Sequence, residues 1–161
     1  WEPTNCIKAL ETGLIDSIQV IYNVFDQAPE DELFPYCQEH NIALIARVPF
    51  DEGSLTGRIT MGSKWDEGDF RNIYFGKENL APTVNRIAKL KEELNPTVPI
   101  AQTALQFATS HSAVSTTIAG MRQLKNVEAN MGVGTMPPMT DEEKAFLRKH
   151  RWDRKPTNWS C

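Results

Sequence analysis

The segment 118-IAGMRQLKNVEAN-130 joins a short apolar run to a helical pattern through Gly120, Met121 and Arg122. That order sets a guanidinium beside the first backbone N–H groups of a helix. The helix dipole already favours anions there, so the spot suits a phosphate. Asn126 and Asn130 recur four residues apart on one side of the same helix. The plainer alternative is an arginine solvated near a helix start. A second candidate is 45-IARVPFDEGSLTGRIT-60. Core-like Ile45 and Ala46 are interrupted by Arg47, Pro49 ends the run, and Phe50 and Leu55 lie among Gly53 and Gly57. Glycines permit positive φ or close approach of backbone to a ligand. Such a stretch marks either a strand with chemistry at its carboxyl end or a strand that stops. Gln19 and Asn23 flank Ile21 and share a strand face, in a site or at an exposed edge.

Other candidates are weaker. His40, His111 and His150 are isolated, each near a helix end, where a satisfied or exposed imidazole is the simpler reading. No HExxH, GxSxG, P-loop or GxGxxG motif occurs. Asp51 and Glu52 read as loop surface more readily than as an acid/base pair. Cys6, Cys37 and Cys161 are odd in number and widely spaced, which fits neither a disulfide framework nor a zinc site. No metal site is expected, and a reducing, cytoplasmic setting is.

The elements that position these residues alternate. Residues 4–12 form a predicted helix stopped by Gly13, 17–23 a strand, 29–41 a helix and 42–48 a strand. A long polar loop follows to about residue 79. Helices are expected at 83–94 and 100–110, a strand at 114–119 and a helix from Arg122 to Met131. Thr140 and Glu143 form a capping box for a last helix to about His150. This is the βα rhythm of a parallel sheet, but three strands leave edges and one face without cover. The 161 residues, expected to form a single domain, carry a net charge of −4 with no basic block, which disfavours nucleic acid as a partner. No apolar run approaches the roughly 18 residues a bilayer needs. The chain begins at Trp1 instead of Met, so it reads as an excerpt, a processed piece or a trimmed form.

Four stretches, 18-IQVIYN-23, 42-IALIARVPFDEGSLTG-57, 65-WDEGDFRN-72 and 118-IAGMR-122, keep the order and spacing of one family, together with Asn126 and Asn130. The chain resembles the C-terminal half of an aldo-keto reductase, a (β/α)8 barrel that uses NADP(H) to reduce carbonyls, over almost its whole length. The resemblance implies an α/β fold: a partial, half TIM-type barrel of about three parallel strands alternating with helices, plus a C-terminal helix. It implies that Gln19 meets the nicotinamide carboxamide. Arg47 falls where most members stack a tyrosine on the ring, a substitution a planar guanidinium can serve. Pro49, Phe50, Gly53, Leu55 and Gly57 fall in the loop that follows the pyrophosphate. Gly120 and Met121 lead into Arg122, which with Asn126 matches positions near the adenosine 2′-phosphate, and Asn130 matches one at the adenine. Ala129 stands where many members have a glutamate.

The family's Asp, Tyr, Lys and His tetrad belongs to the N-terminal half, so no catalytic residue is expected in this chain. A carbonyl substrate is then expected only when that half is present, and the isolated chain should not be a competent reductase. A partner half or a homo-oligomer is expected to cover the open sheet. The alternative is a stand-alone half-barrel that binds a nucleotide, or serves as a structural or interaction protein, without reductase activity.

Overall fold

Three runs rich in aliphatic and β-branched residues become strands in the computed structural model, which describes residues 3–76, 78–94 and 97–152. Trp1 and Cys161 lie outside the described residues. Strands β1 (Ser17–Ile21), β2 (Ala43–Arg47) and β3 (Val114–Ile118) form a parallel sheet in the order β1-β2-β3. The register sets Gln19 beside Ile45 and Ile21 beside Arg47, then Ile45 beside Thr116 and Arg47 beside Ile118. Between Leu44 and Ile45 the pairing with β3 slips. At that irregularity Ser115 Oγ accepts the Leu44 N–H at 3.1 Å, so the bulge leaves that donor satisfied.

Alternation along the strands divides the sheet into two unlike faces. Ile18, Val20, Leu44 and Ala46 point into the core, where Leu44 and Ala46 are fully buried with Phe34, Cys37, Ala104, Phe107 and Ala108. Each large apolar side chain buried this way contributes about 1.5–3 kcal/mol. On the other face Ser17, Gln19, Ala43, Thr116 and Ile118 are exposed, while Ile21, Ile45 and Arg47 are half-buried. Parallel sheets are ordinarily covered on both sides. Among the described residues this one is covered on one.

Helices α1 (Pro3–Leu10), α2 (Leu33–Glu39), α3 (Arg71–Tyr74), α4 (Leu80–Glu93), α5 (Ile100–Ser110), α6 (Leu124–Val133) and α7 (Asp141–Arg148) complete the order. The helix expected over 29–41 is broken into a 3-10 turn at Ala28–Glu30 and α2. Pro35 explains the break. It has no N–H to give to the Asp31 carbonyl, so an unbroken helix would lose that bond, whereas in the first turn of α2 the lack is harmless. The 51–79 loop also holds structure that its polar sequence hid, a 3-10 stretch at Asp51–Thr56 and the short α3.

The expected capping box is present. Glu143 N donates to Thr140 Oγ1 at 3.2 Å and Thr140 N to Glu143 Oε2 at 2.7 Å. Helix α7 is then tied to the segment after β1. Arg148 Nε donates to Glu30 at 2.9 Å, Arg151 makes a two-pronged pair with Asp31 at 2.7 Å per bond, and Trp152 N donates to the Phe25 carbonyl at 2.9 Å. No helix among the described residues is long and apolar enough to cross a membrane.

Candidate functional site

The carboxyl ends of the strands gather the residues singled out by sequence. On the open face Arg47 sits in the last row, flanked by Ile21 and Ile118, and Gln19 sits one row behind on the neighbouring strand. Asn23 does not join them. The strand ends at Ile21, and Asn23 turns into the interior, fully buried. Its Oδ1 accepts the N–H groups of Phe25 and Asp26 at 2.9 and 3.0 Å, and its Nδ2 donates to Asp26 at 2.9 Å. That Nδ2 also reaches the Val48 carbonyl at 3.0 Å. Val48 has φ 58, a conformation a β-branched residue rarely adopts, and Asn23 helps hold it. The residue is structural.

The loop after β2 is shaped by positive φ at Val48, Asp51, Glu52, Gly53 and Gly57. Its two glycines differ in kind. A Cβ on Gly53 would meet nothing within 4 Å, so its backbone is open to a ligand. A Cβ on Gly57 would come within 2.6 Å of Lys91 Cε and 3.1 Å of Ile100 Cγ2, and Lys91 Nζ donates to the Gly57 carbonyl at 2.8 Å. Gly57 also holds the left-handed φ of 72 that ends the 3-10 stretch, so its backbone conformation already asks for glycine. Pro49 is buried, Phe50 packs against the core and Leu55 is fully buried, so these positions offer a ligand backbone more than side chain.

Asp51 departs from the expected loop surface. Its carboxylate is fully buried, accepting Ser54 Oγ at 2.5 Å and the Tyr74 hydroxyl at 2.6 Å. Three residues before Tyr74, Arg71 forms a two-pronged pair with Asp69, Nε to Oδ1 at 3.0 Å and Nη2 to Oδ2 at 2.6 Å. The guanidinium holds the Asp69 carboxyl down at about 2. Trp65 stacks on Phe75 with centroids 5.2 Å apart, and the Arg71 guanidinium lies 5.8 Å from the Trp65 ring.

The third element is the turn from β3 into α6. Gly120, Met121 and Arg122 are all exposed, and the helix begins at Leu124, two residues after Arg122. Gln123 caps it with extended backbone and no side-chain bond. Asn126 is half-buried, and Asn130 Nδ2 donates to the Gly120 carbonyl at 3.2 Å, pinning the turn. An open cleft of about 570 Å³ joins the three elements, lined by Glu52, Gly68, Asp69, Phe70, Arg71 and Arg122. Sequence reading had found Glu52 and Arg122 there only as separate loops. It missed Asp51 and Tyr74, and the Asp69–Arg71 pair left one trace, acid and base two residues apart.

The cleft sets two guanidiniums, Arg71 and Arg122, among two carboxylates, Glu52 and Asp69. Proton donation is another matter: two tyrosine hydroxyls are bonded to carboxylates, and the third tyrosine stands on α2. Tyr22 is buried, and its hydroxyl donates to Glu30 at 2.5 Å with its pKa pushed up by burial and by that carboxylate. Tyr36 stacks on His40 at 4.0 Å, and Tyr74 serves Asp51. His111 lies against Phe34 and Tyr22 in the covered side, its pKa lowered chiefly by burial. No group of His, Cys, Asp and Glu among the described residues could hold a metal ion.

Residues 6–151 match the model of the Aldo/keto reductase family. The uncharacterized oxidoreductase YqkF of Bacillus subtilis is 29% identical over 147 residues, 91% of this chain and 46% of that protein. The NADH-specific methylglyoxal reductase of Escherichia coli is 26% identical over 143 residues, 87% of this chain and 43% of that protein. Among solved structures, the holo form of aldo-keto reductase AKR11C1 from Bacillus halodurans superposes with a TM-score of 0.71 at 27% identity, covering 93% of this chain and 46% of that one. The chain thus spans about half the length of the relatives it matches.

Proposed function

The chain belongs to the aldo/keto reductase family, and from that premise we propose that it is the dinucleotide-binding half of a carbonyl reductase that uses NADP(H). The observation that carries this reading is the meeting of Glu52, from the loop after β2, with Arg122 across one cleft, at the strand ends where Arg47 also lies. The residues suit such a group. An exposed guanidinium beside the start of α6 offers charge to a phosphate, and the Gly53 backbone has room beside it. When bound, a reduced nicotinamide supplies a hydride to a carbonyl carbon. Gln19 would hold the ring's carboxamide through its side-chain amide, and Arg47 would hold the ring through its guanidinium. Arg122 would pair with the phosphate that separates NADP(H) from NAD(H).

The carbonyl oxygen also needs a proton; the Tyr22 and Tyr74 hydroxyls are bonded to Glu30 and Asp51, and Tyr36 stands on α2 against the core. The donor therefore comes from the half that covers the open face. That half is either a complementary chain or preceding sequence with the remaining strands, or, for a non-enzymatic protein, a second copy of this chain. An eight-stranded parallel barrel needs five strands beyond these three, which favours the complement.

Cofactor choice is the direct test. One relative is named NADH-specific, so preference varies among proteins this similar, and here Arg122 carries it. Fluorescence titration should give NADPH about 10-fold tighter binding than NADH, because a hydrogen bond to a charged group is worth roughly 1.5–3 kcal/mol. Arg122→Ala should remove the difference. Equal affinities in the parent would defeat the assignment.

A further inference from the structure

The two long walls of the cleft come from segments far apart in sequence, one at Glu52 and the other at Gly68–Arg71. Their link is Asp51. It precedes Glu52, and its buried carboxylate receives the hydroxyl of Tyr74, which lies 23 residues away at the end of α3. Ser54 supplies the second bond from the same loop. Nothing about a ligand requires a buried carboxylate here. An apolar residue would fill the space without the cost of removing a charge from water. Loop geometry supplies the reason. Asp51 and Glu52 both have positive φ, 46 and 53, which non-glycine residues hold only when their surroundings insist. Asn23 secures the entry to the same loop through the Val48 carbonyl at 3.0 Å.

We propose that Asp51 and Tyr74 are positioning residues, a buried clamp that holds the 48–57 loop and the 66–74 segment at the spacing of a preformed diphosphate slot. The proposal rests on the dinucleotide reading and deepens it. Neither residue is assigned a contact with the ligand. Without the clamp, Asp51 and Glu52 relax to commoner conformations and the walls part, so binding must first order them. The Asp51 carboxylate is fully buried and accepts one hydroxyl from its own loop and one from α3.

Tyr74→Phe, Asp51→Ala and the double variant test this in the full protein. Hydrogen exchange without ligand should show faster exchange in both walls, residues 48–57 and 66–76, for Tyr74→Phe, although the change is made in one. NADPH affinity should fall about 10-fold in Tyr74→Phe, the scale of one hydrogen bond to a charged group. The double variant should lose no more than Asp51→Ala alone, because both act through one bond. Tyr74→Phe should also lower the thermal midpoint, because it leaves a buried carboxylate short of a partner. Leu44→Ala should lower the midpoint at least as far yet leave NADPH affinity unchanged, and that contrast separates positioning from general destabilisation. Exchange confined to the mutated segment, or additive losses of affinity, would overturn the clamp. If the parent binds no dinucleotide, the cofactor reading fails and exchange alone judges the clamp: coupled deprotection of both walls supports it, and unchanged exchange overturns it.

Discussion

Leu44 and Ile45 are neighbours of equal size on one strand, and the structure treats them oppositely. Leu44 is fully buried beneath the helices, while Ile45 faces the uncovered side between Gln19 and Thr116. The covered face is apolar on β1 and β2 and carries Thr117 on β3. The open face interleaves Ile21, Ala43, Ile45 and Ile118 with Ser17, Gln19, Arg47 and Thr116. That mixture is too polar for lipid and too apolar to be an ordinary solvated surface. It suits the inside of a barrel, where one end must be packed and the other must receive a ligand. The difference teaches that packing is one-sided: the helices hold the sheet through one face, and a cover over the bare side is what the proposed function requires to complete the site.

The largest effect should come from supplying that cover. Alone, the chain should oxidise NADPH with aldehydes and ketones at background rates, because general acid catalysis worth about 10²–10⁴-fold lacks its donor. Co-expression with a chain carrying the other five βα units should restore turnover, followed by the absorbance of reduced nicotinamide. Turnover by the chain alone would show that no cover is needed. Next in size, Leu44→Ala should cost about 2–5 kcal/mol in denaturant unfolding, and Ile45→Ala about 1 kcal/mol or less in the uncovered chain. Equal costs would mean that the open face is already covered in solution.

A smaller effect lies at the rim. Asp69 has its carboxyl depressed from 3.8 to about 2 by Arg71. A carboxylate whose pKa is lowered by folding supports the folded state above its ordinary value, and that support is lost as pH falls from about 4 towards 2. The pair is solvent-screened, so the stability change should be slight. Titration of the Asp69 carboxyl by NMR should find the depressed value, and Arg71→Ala should return it to the ordinary carboxylate range.

Local features were the legible ones. The three strands lie within two residues of their expected ends, because aliphatic and β-branched runs such as IALIARV pack well on a pleated surface whatever surrounds them. The capping box at Thr140 and Glu143 was equally readable, since both partners lie within one turn. The candidate site was legible as three separate rim segments. Its joining was not: Asp51 looked like loop surface until Tyr74 closed on it, and Asn23 looked like a partner of Gln19 until the strand ended at Ile21.

By itself, then, the sequence determined the βα alternation, the helix ends set by Pro35 and Thr140, and the residue types at each strand's carboxyl end. These follow from backbone preferences and hydrogen bonds that act over a few residues. Tertiary structure alone decided which face of β2 is covered, that Lys91 closes on the Gly57 carbonyl, and that a carboxylate lies buried in the loop after β2. Burial is a property of what arrives from elsewhere in the chain, and the cost of removing a charge from water is met here by a hydroxyl 23 residues away.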